Sequence, residues 1–468
     1  MIVNLSIFEF SSKKSSKEEM SSYSPDAYQA KLESIFTRYP SVQKVPFGDA
    51  YKPGLDHMAR FEALLGNPHK DYRTIHVAGT NGKGSVASML SSVLSSAGLK
   101  VGLYTSPHIE DFRERARILQ PQGTEPYLVP EDFVYDFLCS HEQDFESLDL
   151  SFFEITTGLA FKWFSTEKVD VAVIEVGLGG RLDSTNIIVP DLSIVTSIAL
   201  DHCALLGDTL QAIAGEKSGI FKEGVPALVG EYLPETMPVF QKKAEEVHCP
   251  LTFAQDAIPV LPRRAEDILS RMDLKGKYQE KNLRTVLCAL DILTKDPFYH
   301  GLHDEKAVEE AIINTAFWSG FHGRWEKLSD NPEAIADIGH NPAALKGNFA
   351  QLEEMMATGK YTSLVIVYAV MADKDLEGIM PLMPEKATYI LTSPQTRRAL
   401  PEEELTRMFK DYCEKNGKKP EGIIGIPTVR EAVEKAMSFD RSGNPLIYFG
   451  GSTYLVSEVV RILQSTKA

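Results

Sequence analysis

The chain has 468 residues, of which 49 are lysine or arginine and 65 are aspartate or glutamate, so its net charge is −16 at pH 7. This acidic balance argues against nucleic acid as a partner, and an anionic substrate has to be held by a local basic site. The five cysteines are scattered without metal-binding spacing, and no apolar run is long enough to span a membrane. We therefore expect a cytoplasmic protein of roughly two to four domains with neither a nucleic-acid nor a membrane partner.

The chain begins with a polar stretch before its first regular element. Residues 1–23 include the serine- and lysine-rich segment SSKKSSKEEMSS, whose composition predicts a disordered tail. Helical patterns follow, and one of them is an amphipathic helix through Met58, Phe61, Leu64 and Leu65 that ends at Gly66.

A glycine-rich turn, GTNGKGS at residues 79–85, follows an apolar run that indicates a buried strand. After the turn, apolar residues recur on one helix face, and a second apolar run completes a strand, loop, helix and strand unit. The glycines let the backbone approach an anion, the helix N-terminus points at it, and Lys83 adds a positive charge. The spacing departs from the standard phosphate loop because Gly84 separates Lys83 from Ser85. We nevertheless interpret the turn as a triphosphate site rather than as a plain connection.

Polar residues follow the ends of three further apolar runs: Ser106 with His108, then Glu175, then Asp201 with His202. Ligands of open α/β sheets bind at the carboxyl ends of parallel strands, so we expect these side chains near the phosphates. Glu175 is a candidate to hold magnesium. A simple turn at Ser106 and Pro107 is the alternative interpretation of that segment.

The sequence alone does not decide the roles of two charged residues that lie inside helical patterns. Glu154 lies beside phenylalanines in a buried helix candidate, where its carboxylate is either exposed on the other face or held for a function. Lys217 lies in a helix candidate over residues 206–222. On its own, a lysine in that position is expected on a solvated face.

A change of pattern at WSGFHGRWE predicts a linker over residues 319–326 between domains at 24–318 and 327–468. Beyond it, five strand runs separated by helical patterns indicate a second, smaller doubly wound sheet. Asp337 and His340 follow the first of these runs, at a strand end where a ligand is expected.

Eight segments, in order along the chain from about residue 52 to the end, carry a family resemblance: GTNGKGS, TSPHI, EVGLGGRLDSTN, TSIALDH, IAGEKSGI, YQEKN, HGRWE and GHNP. They resemble folylpolyglutamate synthase and dihydrofolate synthase of the Mur ligase group. The resemblance implies an α/β fold with a P-loop-type Mur ligase central domain, built on a parallel sheet, and a smaller Rossmann-like C-terminal domain. It implies that ATP phosphorylates a carboxylate of 7,8-dihydropteroate or a reduced folate, and that L-glutamate attacks the acyl phosphate. It also favours a monomer.

The resemblance assigns roles to individual residues. For ATP it implies Thr80, Asn81, Gly82, Lys83, Gly84, Ser85, Asn282, Arg324 and Asp337. For magnesium it implies two sites, one at Ser106 and Glu175 and one at His202 with Glu175. Lys217 matches a lysine that is carbamylated in the family, and the implied catalytic set is Lys83, Lys217, His202, Glu175 and His340. For the pterin side of the substrate it implies Gly54, Leu55, Phe153, Glu154, Leu182, Asp183 and Ser184.

Two segments depart from the family pattern without loss of an apparent catalytic group. DIGHN stands where DGAHN is common, and ERARI stands where a shorter ERI-type segment is common. One alternative function is another Mur-type amino-acid ligase acting on a nucleotide-linked peptide precursor, against which the folate-type segments argue. The other is a nucleotide-binding regulatory protein without catalysis, against which the metal-ligand candidates argue. The motifs leave open whether the enzyme makes dihydrofolate, extends folates or does both.

Overall fold

The computed structural model of the protein describes residues 23–39, 54–121, 123–257, 262–440 and 443–465, without the side chains of 262–264. The predicted N-terminal tail therefore lies outside the described residues except for Tyr23, whose hydroxyl donates to Glu131 Oε2 at 3.0 Å. Within the described ranges, none of the helices is both long and apolar enough to cross a bilayer.

The chain before residue 320 folds around one sheet. Its strands are β1 (Arg73–Ala78), β2 (Val101–Tyr104), β3 (Ala116–Leu119), β4 (Tyr127–Leu128), β5 (Val171–Glu175), β6 (Leu192–Val195), β7 (Ala227–Val229) and β8 (Leu251–Phe253). The helices that cover it are α1 (Pro25–Arg38), α2 (Asp56–Leu65), α3 (Lys83–Ser96), α4 (Glu131–Ser140), α5 (Glu142–Ser147), α6 (Phe152–Thr166), α7 (Cys203–Leu206), α8 (Leu210–Ser218), α9 (Met237–Glu246), α10 (Pro262–Arg271), α11 (Gln279–Leu293), α12 (Glu305–Ile313) and α13 (Thr315–Ser319).

The strand order in this sheet is β4-β3-β2-β5-β1-β6-β7-β8 in the described part of the chain. The six strands from β2 to β8 in this order run parallel, and β3 and β4 form an antiparallel edge. The chain places β2 and β5 on one side of β1 and then β6 on the other. The loops after these four strands consequently meet at one edge, where open α/β sheets bind ligands.

The helix predicted after the glycine turn is α3, but it is buried on every side rather than on one face. Residues 84–95 are all buried, including Ser88, Ser91 and Ser92. Helices α11, α12 and α13 cover the side of α3 that faces away from the sheet. Small hydroxyl side chains permit this close packing, and the covering helices come too late in the chain for the local pattern to reveal them.

The rest of the chain forms a second sheet, in the described order β13-β12-β11-β14-β10-β9. Its strands are β9 (Glu326–Asp330), β10 (Glu333–Asp337), β11 (Ser363–Tyr368), β12 (Thr388–Leu391), β13 (Gly422–Gly425) and β14 (Pro445–Gly450), and its helices are α14 (Pro342–Ala357), α15 (Leu376–Ile379), α16 (Glu402–Asn416), α17 (Val429–Met437) and α18 (Thr453–Ser465). The strands β10 to β14 pair in parallel, and these five were predicted from their apolar runs.

Two boundaries differ from the sequence prediction. The helix candidate over residues 206–222 is shorter in the structure, where it is α8 (Leu210–Ser218), because Leu206 ends α7 and Gly207, with a φ of 96°, separates the two helices. The predicted linker at 319–326 is shorter, since Ser319 ends α13 and Glu326 begins β9. The edge strand β9, antiparallel to β10, was missed because its sequence EKLSD lacks an apolar alternation.

The loop after β2 joins the two sheets. Ile109 lies in the apolar core of the C-terminal sheet with Ile338, although it belongs to the first half of the chain. The Glu110 carbonyl accepts from Arg461 Nη2 at 2.8 Å. The carboxylate of Glu114 accepts the backbone N–H groups of Ile109, Glu110 and Asp111 at 2.7 to 2.8 Å, which fixes the shape of the loop.

The contact between α2 and α6 gives a stability prediction. A Cβ on Gly158 of α6 would lie 2.4 Å from the ring of Phe61, whereas a Cβ on Gly347 of α14 would meet nothing within 4 Å. We expect Gly158→Ala to lower the free energy of unfolding by about 1–3 kcal/mol through overpacking. Gly347→Ala should leave it unchanged or raise it by up to about 1 kcal/mol. Thermal unfolding of the two variants side by side measures this, and equal shifts would contradict the close contact.

Candidate functional site

The glycine-rich turn at residues 79–85 lies between β1 and α3, as predicted. Gly82 has a φ of 91°, and a Cβ there would lie 2.3 Å from Asn282 Oδ1, so both the backbone conformation and the close contact require glycine. Thr80 N donates to Ser197 O at 2.8 Å, which ties the turn to the segment after β6. Gly82 offers no side chain to cap α3, so the first N–H groups of that helix are available to an anion.

Two lysines converge on this turn. Lys83 Nζ donates to the carbonyl oxygens of Gly79 at 3.0 Å and Thr80 at 3.2 Å, and Lys217 Nζ donates to the same Gly79 carbonyl at 2.9 Å. Lys217 is 5% exposed, so its interpretation as a solvated lysine is wrong. Burial, with a smaller contribution from the Lys83 charge, lowers the pKa of Lys217 to about 7. A substantial part of its amine is therefore uncharged near neutral pH.

The structure brings Ser106 and Glu175 together at the ends of β2 and β5. Ser106 N donates to Glu175 Oε2 at 3.1 Å, and the carboxylate is buried. Burial raises the pKa of Glu175, while the charge of Lys83 opposes that rise. Both residues line a cavity that also includes Arg117 and Arg324. Hydroxyl and carboxylate oxygens are hard donors, so this pair fits a magnesium ion.

His202 lies with Asp201 and His340 in a cluster whose potential ligand atoms are all within 4.8 Å of one another. Burial lowers the pKa of His202 to about 3, so its imidazole is neutral at physiological pH, as metal coordination requires. Asp201 had been noted only as a strand-end residue. Burial raises its pKa, but the hydrogen bond with His340 and the charges of His202 and Lys374 outweigh burial and hold the pKa of Asp201 well below its usual range.

Asn282 and Ser85 belong to one hydrogen-bonded chain. Asn282 Nδ2 donates to Gln279 Oε1 at 2.8 Å, and Gln279 Nε2 donates to Ser85 Oγ at 3.2 Å. Arg324 lies in the connection between domains, with its guanidinium 5.1 Å from the centre of the Phe321 ring. These residues are thus grouped around the glycine-rich turn and the linker.

Asp337 is more heavily bonded than its predicted role suggested. Its Oδ2 accepts from Tyr278 Oη at 2.6 Å and from Trp325 N at 2.9 Å. Its Oδ1 accepts from Asn348 Nδ2 at 2.7 Å and from Gly339 N at 2.8 Å. This carboxylate therefore holds the central domain, the linker and the C-terminal sheet together, and Tyr278 is a contact that sequence reasoning missed.

The residues predicted for the pterin side gather where α2, α6 and the loop after β5 pack together. A Cβ on Gly177 would lie 2.3 Å from the ring of Phe153, so that ring lies directly against the glycine loop. Asp183 Oδ2 accepts from Leu178 N at 2.9 Å and braces the same loop, which also contains Leu182 and the nearly buried Ser184. Gly54 and Leu55 lie at the start of α2.

Glu154 has a structural function in this region. It is 2% exposed, and its Oε2 accepts from both Ser151 N and Ser151 Oγ at 2.7 Å, while Ser151 Oγ accepts from Glu154 N. This is a capping box at the start of α6. The carboxylate is therefore held for the helix, which resolves the two open interpretations of this residue.

Two buried arginines, Arg115 and Arg117, were noted in the sequence only within the ERARI segment. Arg117 Nη1 donates to the carbonyls of Ser319 and Gly320 at 2.7 Å each, so it links β3 to the end of α13. Arg115 Nε donates to His108 Nδ1 at 2.9 Å. The alternation of apolar residues around them in ERARI was the available signal for a buried strand.

Comparison with known proteins agrees with this geometry. The Mur ligase middle domain matches residues 77–254, and the Mur ligase glutamate ligase domain matches residues 323–453. The chain is 30% identical over 460 residues to the dihydrofolate synthase/folylpolyglutamate synthase of Bacillus subtilis (strain 168), covering 92% of this chain and 100% of that protein.

Two solved structures share the fold. One is E. coli FolC in complex with DHPP and ADP, with a TM-score of 0.76 and 27% identity over 94% of this chain and 98% of that one. The other is a bifunctional folylpolyglutamate synthase/dihydrofolate synthase with Mn, AMPPNP and L-glutamate bound, with a TM-score of 0.72 and 26% identity over 93% of this chain and 98% of that one.

The glycine-rich turn gives a binding prediction with a matched control. Gly82 and Gly98 flank α3 with nearly equal φ of 91° and 92°, but a Cβ on Gly98 would meet nothing within 4 Å. We expect Gly82→Ala to weaken ADP binding about tenfold or more, because the turn has to move away from Asn282. Gly98→Ala carries similar backbone strain and should bind ADP normally. Titration calorimetry measures both, and equal affinities for the two variants would contradict the assignment.

Proposed function

Because the chain belongs to the folylpolyglutamate synthase and dihydrofolate synthase family of Mur ligases, we propose that it adds L-glutamate both to 7,8-dihydropteroate and to reduced folates. It is an ATP-dependent ligase that forms an amide bond. Near full-length relatives in B. subtilis and E. coli that carry both activities in their names support two substrates. They favour folate chemistry over the alternative of a nucleotide-linked peptide precursor.

The proposed reaction has two steps. The γ-phosphoryl group of ATP moves to an oxygen of the substrate carboxylate, which gives an acyl phosphate and ADP. The amino nitrogen of L-glutamate then attacks the carbonyl carbon, the bond from that carbon to the phosphate oxygen breaks, and amide, phosphate and a proton are released. Phosphorylation is needed because a free carboxylate has no good leaving group.

The observation that carries this proposal is the gathering of the partly exposed Lys83, the buried Lys217 and the buried Glu175 at one sheet edge. We assign the backbone of residues 80–85 and the Lys83 ammonium to the phosphates of ATP, with Asn282, Arg324 and Asp337 on the nucleotide side. Ser106 and Glu175 would hold one divalent ion, and His202 with Glu175 a second. Such ions supply positive charge that offsets repulsion between the triphosphate and the anionic substrate. His340 completes the proposed catalytic set from the C-terminal domain.

We assign the pterin side of the substrate to the region where the start of α2, the start of α6 and the loop after β5 pack together. Phe153 offers an aromatic face against the glycines of that loop, and Leu182, Asp183 and Ser184 come from the loop itself. Gly54, Leu55 and Glu154 lie at the helix starts that border it. A monomer is the working unit that the family resemblance favours, and it is part of the proposal.

Carbamylation of Lys217 is part of the proposal. Carbon dioxide adds to an uncharged amine, forming a nitrogen–carbon bond and releasing one proton. The low pKa of Lys217, about 7, provides that amine. The carbamate would replace a cation with an anion beside the Lys83 ammonium and the metal ligands, which relieves the repulsion between the two lysines.

The test of the activity is phosphate release from ATP with L-glutamate and magnesium, run in parallel with 7,8-dihydropteroate and with tetrahydrofolate. We expect release with both, and a product heavier by one glutamyl residue in each. Release with one substrate only would reduce the proposal to that step. Absence of release with both, despite binding of ATP, would overturn it.

Replacement of Lys217 separates catalysis from nucleotide binding. We expect Lys217→Ala to abolish glutamate addition and to retain most of the ATP affinity, because Lys83 and the backbone still hold the phosphates. Lys222 is the control, since its Nζ donates to Asn186 O at 2.8 Å, away from the turn. Lys222→Ala should retain activity, and near-normal turnover in Lys217→Ala would remove Lys217 from the catalytic set.

The carbamate gives a pH prediction of defined sign. Below the pKa of about 7 the Lys217 ammonium predominates and cannot react, whereas above it the neutral amine does. Activity after depletion of carbon dioxide should therefore be restored by bicarbonate, more fully at about pH 8 than at about pH 6. Labelled bicarbonate incorporated into wild type but not into Lys217→Ala would identify the site, and equal labelling of both would contradict it.

A further inference from the structure

Asp201 belongs to the central domain and contacts three residues of the C-terminal domain. Its Oδ1 accepts from Lys374 Nζ at 2.9 Å, and its Oδ2 accepts from Asn341 Nδ2 at 3.2 Å and lies 3.4 Å from His340 Nε2. All three partners belong to the C-terminal domain. The side chains of Asp201 and Lys374 are only 11% and 10% exposed, so water screens this ion pair little.

A second contact across the cleft lies beside the first. Asn81 of the glycine-rich turn and Asn341 exchange two side-chain hydrogen bonds, Asn81 Nδ2 to Asn341 Oδ1 at 3.2 Å and Asn341 Nδ2 to Asn81 Oδ1 at 3.0 Å. Asn341 is also the N-cap of α14, where its Oδ1 accepts from Ala344 N. The start of α14 is therefore attached both to Asp201 and to the phosphate-binding turn.

The segment that carries Asp201 is itself bonded to that turn. Thr80 Oγ1 donates to Ala199 O at 3.2 Å and accepts from Ala199 N at 3.1 Å. Ser197 Oγ donates to Asn81 O at 3.0 Å. If the C-terminal domain displaces Asp201, the hydrogen bonds of Ala199 and Ser197 therefore displace the phosphate-binding turn as well.

We propose that Asp201 is a positioning residue, an interdomain latch through which Lys374, Asn341 and His340 hold the C-terminal domain over the phosphate-binding turn before ATP binds. The inference rests on the proposed function for its kinetic consequence and on the contacts alone for its structural consequence. Without the latch, part of the binding energy of ATP has to close the cleft. The apparent affinity for ATP then falls, while the rate at saturation is retained.

The experiment compares Lys374→Met and Asp201→Asn with wild type by small-angle X-ray scattering and by steady-state kinetics. We expect both variants to have a larger radius of gyration without nucleotide and to approach wild type when AMPPNP and magnesium are saturating. In Lys374→Met the KM for ATP should rise about tenfold while kcat changes less than about twofold. The double variant should be no worse than the worse single variant, because one interaction is removed in all three.

The matched control is Lys360, whose Nζ lies 2.6 Å from Glu333 Oε2 within the C-terminal domain. Lys360→Met should leave the radius of gyration and the KM for ATP unchanged. Lys374→Arg, which retains charge and donors, should restore most of the wild-type behaviour. These variants distinguish loss of the latch from a general loss of folding.

Several outcomes would overturn the latch. A loss of kcat with unchanged KM and unchanged scattering would place Lys374 in the chemistry instead. Unchanged scattering and kinetics in both single variants would show that the contacts do not hold the domains. If wild type ligates no glutamate, ADP affinity replaces KM as the readout. The proposed function then fails while the latch is still decided by scattering and calorimetry.

Discussion

The rest of the structure depends on two lysine side chains that donate to one carbonyl oxygen. Lys83 and Lys217 both donate to Gly79 O, in a region where burial has already lowered the pKa of Lys217. Cations this close repel each other strongly when water is excluded, so the arrangement favours any negative charge brought to the turn. The parallel strands β1, β2, β5 and β6 place the loops that follow them around that point.

Local patterns predicted the parts of this arrangement that depend on neighbours in the chain. The β1, turn and α3 unit, the residues after β2, β5 and β6, and five strands of the second sheet follow from apolar runs and the residues that end them. These features are recoverable because strand periodicity, glycine conformation and the edge at which parallel loops meet are properties of short segments.

The features that escaped prediction depend on residues far apart in the sequence. Lys217 is buried because β1 and its turn lie against α8, and its spacing in the helix carries no sign of that. Asp201 meets Lys374 across 173 positions, and Asp337 meets Tyr278 across 59. The exposed edge strand β9 lacks apolar alternation, and α3 is covered by helices that follow much later. In each case the family resemblance, or the three-dimensional structure, had to supply what periodicity could not.

Ile109 connects the C-terminal sheet to the contact between Ser106 and Glu175. Its side chain lies in the apolar core of the C-terminal sheet, while Ser106, three positions earlier, bonds Glu175 of the central sheet. Three residues span about 10 Å at full extension. A wider opening of the cleft therefore either draws Ile109 out of an apolar core or pulls Ser106 away from Glu175. The chain is too short at this point for the domains to separate while both of these contacts stay intact, so a wide opening of the cleft would also take apart the proposed metal site.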